Sequence, residues 1–295
     1  MTTTLLPDVR LERPSLPLLR PRESPIAEPW KRSWLYCAPG DATTLGWVVL
    51  LHVSAVAGLL LLPLPSWPIL LASLGLAALG GLGTTVCYHR AHAHRGVRLH
   101  PVADHALIFF AMFNGSGTPR TWVANHRLHH ATSDTDEDIS APARGFWWAH
   151  LRWLWQAGQA PISRYCPDLE RPGYRMWGRL QVPMLVLSFF GGLAFGPVAW
   201  LWLGPLRLLL SLHGQCTVNS ICHLGEPAER GGSSRNVWWL SPFLLLQGEN
   251  WHRNHHEEPN NPRLGRGLAQ IDLGWWSVCV LRRFGLARLR SSAPR

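Results

Sequence analysis

The chain has 295 residues, with Lys+Arg 28 against Asp+Glu 18 and a formal net charge of +10 at pH 7, a balance that ordinarily points to nucleic acid. The distribution of the charge excludes that partner: no Asp, Glu, Lys or Arg occurs between Asp41 and Arg90, between Arg179 and Arg207, or between Arg207 and Glu226. The six cysteines, Cys37, Cys87, Cys166, Cys216, Cys222 and Cys279, have no CxxC spacing, which excludes a zinc ribbon and leaves reduced, structural thiols.

From the N-terminus, residues 1–43 form a basic, proline-rich segment without the apolar core of a cleavable signal peptide. A bilayer core takes about 20 apolar residues per helix, so the first uncharged stretch holds two spans, 45–62 and 68–87, joined by the turn LPLPSWP. YHRAHAHR follows at Tyr88–Arg95, and then ALIFFAMF at Ala106–Phe113, too short to span and expected to lie in the interface. HRLHH occupies His126–His130, followed by the acidic run SDTDED and by GFWWAHLRW at Gly145–Trp153. Spans 183–203 and 206–222 come next, separated by LGPLR. The chain continues through NSICH (Asn219–His223), GENWHRNHH (Gly248–His256) and IDLGWWSVCVLRRFGLARL (Ile271–Leu289).

The expectation is an all-α integral membrane protein with four transmembrane helices and a helical cap formed by residues 88–180 and 223–289. One folded unit covers 44–289, with 290–295 as a tail. The competing reading, four core helices of a soluble protein, does not explain the absence of charge over such lengths. Six Lys or Arg precede the first span, eleven lie in 88–180, ten follow the last span, and the two turns share only Arg207. The positive-inside rule then places both termini and the cap in the cytoplasm, and the excess charge faces lipid. With one Lys among 28 basic residues, the usage is that of a GC-rich genome, and the expected location is a bacterial inner (plasma) membrane.

Ten of the fifteen histidines gather at one membrane face. His89, His92 and His94 end the second span, His223 ends the fourth, and two boxes of equal spacing lie in the cap: His126, His129, His130 and His252, His255, His256. An α-helix advances about 100° per residue, so each box shares one face with its adjacent pair splayed. Two imidazoles can serve one metal and the third its neighbour, as in dinuclear sites built from facing helices. One zinc ion takes three or four ligands, whereas nine or ten histidines suit two metals of higher coordination number. Imidazole favours Zn, Cu, Fe or Ni, and few carboxylates stand beside the boxes, which excludes Mg and Ca. The His-Glu-x-x-His pattern is absent. The isolated His52, His100, His105 and His213 are expected to be packed or solvated. In the first box two pairings stay open: His89 with His92 on one helical face, or His89 with His94, about 140° apart, which requires the helix to end or the two to serve different metals.

Together these motifs resemble the membrane-bound fatty acid desaturases of the acyl-CoA, delta-9-like type, from about Trp47 to Leu289. YHRAHAHR is similar to the family's HRxxxH box, which gives ligand roles to His89 and His94. HRLHH, the acidic run and Gly-Phe-x-x-x-His-x-x-Trp resemble the second box, and GENWHRNHH the third. NSICH resembles the family's Asn-Ser-x-x-His, which makes His223 a ninth ligand and lets Asn219 hold a metal through water. The resemblance thus implies two non-haem iron ions (Fe2+) on His89, His94, His126, His129, His130, His223, His252, His255 and His256.

Breaking an unactivated methylene C–H bond needs an oxidant that no side chain supplies. The resemblance implies O2-dependent insertion of a cis double bond into a saturated acyl chain, with electrons from a separate ferredoxin or cytochrome-type donor. A bent apolar tunnel between cap and membrane would hold one methylene in place. Trp122 matches a tunnel tryptophan of the family, and Asp138 and His150 fit roles orienting imidazoles; Asp134 and Asp136 read as solvated surface. Ala124 and Asn125 replace charged residues of many acyl-CoA members, and Ser140 replaces a histidine. The acyl carrier is therefore open between CoA, acyl carrier protein and a membrane lipid. Membrane lipids are expected partners and nucleic acid is not. Hydroxylases, ketolases and acetylenases would share these ligands and differ in product. A metal-ion transporter would need acidic or histidine residues at mid-membrane, where only His52 and His213 stand.

Overall fold

The computed structural model describes residues 32–225 and 232–290; most of the 1–43 segment and all but the first residue of the 290–295 tail lie outside them. Helix α1 (Ala42–Leu61) is mostly apolar and uncharged and ends at an extended Leu62, where Pro63 and Pro65 prevent continuation. Helix α2 (Trp67–Leu82) starts with Pro68 in its first turn, where the missing N–H has no cost. Its backbone then continues as a π-helix over Gly83–Ala93, a winding closed by i→i+5 hydrogen bonds. Strand β1 (Val97–Leu99), α3 (Pro101–Phe113) and α4 (Pro119–Thr132) follow. A one-turn π-helix at Trp148–Arg152 runs into the short α5 (Trp153–Gln156), and α6 (Ile162–Tyr165) follows. The long α7 (Pro172–Phe190) passes through a 3-10 segment, Gly191–Phe195, to α8 (Pro197–Leu203) and α9 (Pro205–Ser220). The chain closes with α10 (His252–Glu257), α11 (Leu273–Arg283) and β2 (Ala287–Leu289).

Among the described residues three helical stretches are long and apolar enough to cross a membrane: Ala42–Leu61, Trp67–Ala93 and Pro172–Phe195. The first two correspond to the expected spans 45–62 and 68–87. The third differs from the expected 183–203. It begins at Pro172, carries Pro183 in its interior and ends before Gly196, whose φ of 97° breaks the helix. Arg175 and Arg179 interrupt the apolar pattern of its first turns, where long basic side chains can reach water from a helix end. The expected span 206–222 is α9, 16 residues long, with a 3-10 turn at Ile221–His223. Arg207 is no turn marker. It is 1% exposed and donates to Leu203 O, Asn114 Oδ1 and Ser188 Oγ, clamping α9 to α3 and α7; neutral acceptors offset the cost of burying its guanidinium.

The all-α expectation also needs a correction. β1 and β2 pair antiparallel in the register Val97↔Leu289, Arg98↔Arg288, Leu99↔Ala287, tying the end of the chain to the segment after the first histidine box. Three-residue strands carry no legible alternation, and only the docking of α11 brings them together. ALIFFAMF lies within α3, which His100 caps by accepting from Val102 N. His52 and His213 are packed: His52 Nδ1 meets Val48 O at 2.7 Å and its Nε2 meets His213 Nε2 at 3.1 Å. All six cysteines are free.

Gly83 marks a close backbone approach between the π-helix and α3. A Cβ there would lie 2.7 Å from Ala111 N and closer still to Leu107 O, both backbone atoms of α3. Gly83→Ala should therefore destabilise the protein by about 1–3 kcal/mol, the usual cost of overpacking. Gly75→Ala, with nothing within 4 Å of its Cβ, should stabilise by about 0.5–1 kcal/mol through helix propensity. Thermal unfolding in detergent checks the opposite signs.

Candidate metal centre

The histidines of the boxes come together in two groups. His89, His94, His126, His130 and His255 form one and His129, His223, His252 and His256 the other, with one ligand nitrogen per residue and all such atoms of a group within 4.8 Å of each other. The repeated box explains the division. On α4, His126 and His130 (i, i+4) enter the first group and His129 (i+3) the second. On α10 the roles reverse, with His252 and His256 in the second group and His255 in the first. Each box therefore contributes to both groups.

His94, and not His92, joins His89. The first condition set by α-helical geometry is met, since the helix ends at Ala93 with His94 as its cap, and its last turns are π-wound: His94 N donates to His89 O at 3.0 Å and the two rings lie 4.9 Å apart, in the same group. His92 turns away to Asp104 Oδ1 at 2.7 Å.

The Nε2 atoms point inward. His89 to His255, His255 to His130, His94 to His126, His223 to His252 and His252 to His256 are separated by 3.0, 2.9, 2.8, 2.9 and 3.1 Å, Nε2 to Nε2. Two nitrogens bonded at right angles to one ion at about 2.1 Å stand about 3 Å apart, so this spacing suits shared cations. His129 Nε2 is buried with no hydrogen-bond partner, and a bound cation would satisfy it. Burial, then mutual repulsion, pushes His94, His126, His130, His252, His255 and His256 well below the ordinary histidine range. Burial first, then His129, lowers His223 to about 3. Neutral rings are what metal binding requires.

Carboxylates orient one ring in each group. Asp138, fully buried, accepts from His129 Nδ1 at 3.0 Å and from Ser140 N and Oγ at 3.0 and 3.1 Å. Burial alone would raise its pKa, and these bonds hold it below the ordinary carboxylate range. Glu249 faces His89 Nδ1 with both oxygens, at 2.9 and 3.0 Å. A carboxylate only accepts, so both rings keep the proton on Nδ1 and present Nε2 to the centre. In the sequence the only signal for Glu249 is its place in GENWH, three residues before His252.

The residues between the histidines brace the boxes across the chain. Arg127 pairs with Asp168 through two bonds of 2.6 and 2.9 Å and donates to His92 O at 2.6 Å. Arg90, 2% exposed, reaches Asp272 at 2.8 Å and Gln247 O at 3.0 Å. Asp272 also caps α11 through Trp275 N. Asn254 donates to Leu264 O and Gln270 Oε1, both at 2.8 Å.

Other expected residues fall differently. His150 touches none of the nine rings through a hydrogen bond: its Nδ1 meets Ser220 Oγ and its Nε2 meets His213 Nδ1, both at 2.9 Å. The π-turn at Trp148–Arg152 aims it at α9. Trp122 stacks on His126 with centroids 4.8 Å apart. Asn219 is half-buried on α9, four residues before His223. Asp134 is not simply solvated. With φ of 64° it accepts from Ser233 N at 2.9 Å and from Ser233 Oγ, which stands 3.4 Å from His223 Nδ1. A cleft of about 300 Å³ opens onto His94, His130 and His256.

Residues 65–265 match the family model for fatty acid desaturase. The chain belongs to the fatty acid desaturase family. As a member of that family it is an oxidoreductase acting on fatty acyl chains. The chain is 35% identical over 236 residues to Delta-9 acyl-lipid desaturase 1 of Arabidopsis thaliana, covering 75% of each chain. It is 31% identical over 275 residues to the sn-2 palmitoyl-lipid 9-desaturase of Nostoc sp. (strain 36), covering 86% of this chain and 93% of that one. It is 30% identical over 270 residues to the Icosanoyl-CoA 5-desaturase of Limnanthes douglasii, covering 88% and 73%. The desaturase relatives thus include acyl-lipid and acyl-CoA enzymes.

Orienting partners of metal-bound histidines are worth about 10–100-fold in metal affinity. Asp138→Asn should weaken metal binding at the four-imidazole group by that factor, and Glu249→Gln at the five-imidazole group. Stepwise metal titration of the purified variants reads the two separately.

Proposed function

We propose that this chain is an O2-dependent, delta-9-like acyl desaturase that inserts a cis double bond, with two non-haem irons held by the nine grouped histidines and Asn219 acting through water. The division of nine inward-facing imidazoles into two adjacent groups carries the reading. Bound iron supplies the O2 activation and C–H cleavage that side chains cannot perform. Electrons come from a ferredoxin or cytochrome-type donor, and the acyl chain is presented on a membrane lipid, CoA or acyl carrier protein.

The chain's own residues do the rest. Glu249 and Asp138 hold protons on the outer nitrogens of His89 and His129, which keeps the inner nitrogens free. Trp122, stacked on His126, offers an apolar face at the edge of the five-imidazole group for the methylene that reacts. The desaturase domain covers 44–289 and crosses the membrane four times, with α9 and the short α8 forming the last passage. Both termini and the cap face the cytoplasm, as the basic flanks favour.

Expression in a host with a simple lipid profile, followed by gas chromatography–mass spectrometry of derivatised fatty acids, tests this. A new cis monoene is expected with the wild type, and its loss in His255→Ala, which removes the ring facing both His89 and His130. Equal product from His255→Ala sinks the assignment. Hydroxylated, keto or acetylenic products would move the enzyme to another chemistry on the same centre.

A further inference from the structure

A second polar cluster lies beside the first histidine box. Asp104, on the first turn of α3, meets His92 Nε2 at 2.7 Å and Cys87 Sγ at 3.2 Å through Oδ1, while Oδ2 accepts from the Tyr174 hydroxyl at 2.7 Å. Cys87 and Asp104 are buried, and the His92 side chain is 13% exposed. Cys, His and Asp are metal-donor types. Here, however, hydrogen bonds already occupy both carboxylate oxygens, the facing imidazole nitrogen and the thiol, so the cluster is satisfied as it stands.

Its spacing matters more than its chemistry. Cys87 and His92 are five residues apart, as are His89 and His94. On an α-helix such pairs stand about 140° apart, and one carboxylate could not hold both members. A π-helix, with its five-residue hydrogen bonds, brings them onto one side. Asp104 therefore grips two residues that stand together only in the winding that also stands His89 beside His94. An α-helical winding would instead align His89 with His92, three residues on. Arg127 secures the same turn from the opposite side, through His92 O and Ala93 O at 2.6 and 3.3 Å.

We propose that Asp104, backed by Tyr174, is a positioning residue that pins the π-winding of Gly83–Ala93, so that His94 rather than His92 enters the five-imidazole group. This rests on the reading of the two groups as a dinuclear metal centre. α3 thereby becomes part of the centre's support without contributing a ligand.

The test is Fe2+ titration of the full chain in detergent micelles, with metal content measured by mass spectrometry, for wild type, Asp104→Ala, Asp104→Asn and Tyr174→Phe. The wild type should bind two Fe2+; if it binds none, the dinuclear reading fails, not the pin alone. Asp104→Ala should weaken one Fe2+ by about 10–100-fold, the usual effect of an outer partner, and leave the other unchanged. Asp104→Asn, which keeps an oxygen for His92 and Cys87, should restore it. Tyr174→Phe, which removes one hydroxyl, should shift the same Fe2+ in the same direction by less, and it decides the matter if Asp104→Ala does not fold. Unchanged affinity for both ions in the Ala and Phe variants, or equal loss of both, overturns the pin. Release of a third, non-iron metal from Asp104→Ala overturns it in favour of a metal site.

Discussion

Nine imidazoles aim lone pairs into two small buried spaces, and everything around them follows from that constraint. Converging lone pairs repel, and protonation would bury charge at high cost. Neutral rings whose outer nitrogens carry the protons relieve both costs and leave the inner nitrogens able to share cations. Glu249 and Asp138 set that polarity directly for one ring in each group. Ser233, held by Asp134, stands at the outer nitrogen of His223.

Such a cluster needs rings from the π-helix that follows α2, from α4, from the turn after α9 and from α10 held in place together. The braces are the residues between the histidines. Arg90 links the first box to the cap of α11, Arg127 links the second box to the end of the first, and Asn254 ties the third to the loop before α11. Buried ion pairs contribute little net stability against apolar replacements, but removing one partner costs about 3–5 kcal/mol. Their effect here is geometric. Arg90 and Asp272 exclude arrangements that leave either charge alone.

The first two membrane helices were legible because forty-eight consecutive residues, 42–89, carry no Asp, Glu, Lys or Arg and prolines mark the turn between them. The third is less legible because Arg175 and Arg179 sit inside its helix, and Arg207 reads as a turn residue because its neutral acceptor Asn114 lies 93 positions away. The i, i+3, i+4 boxes disclosed their own division between two groups, since α-helical geometry alone dictates it. The first box did not: π-winding has no periodic signature over eleven residues and depends on contacts with α3 and α4. Glu249 went unseen for a similar reason, since the ring it orients lies 160 positions away.

The sequence by itself determined the membrane class, the metal-favouring chemistry and the two repeated boxes, because hydropathy and helical spacing are local properties. Which of His92 and His94 faces the centre, where carboxylates meet imidazoles, and how nine rings divide as five and four were decided by the tertiary structure. Those outcomes depend on distances between residues remote in the chain, and on a helical winding that only its packed neighbours can impose.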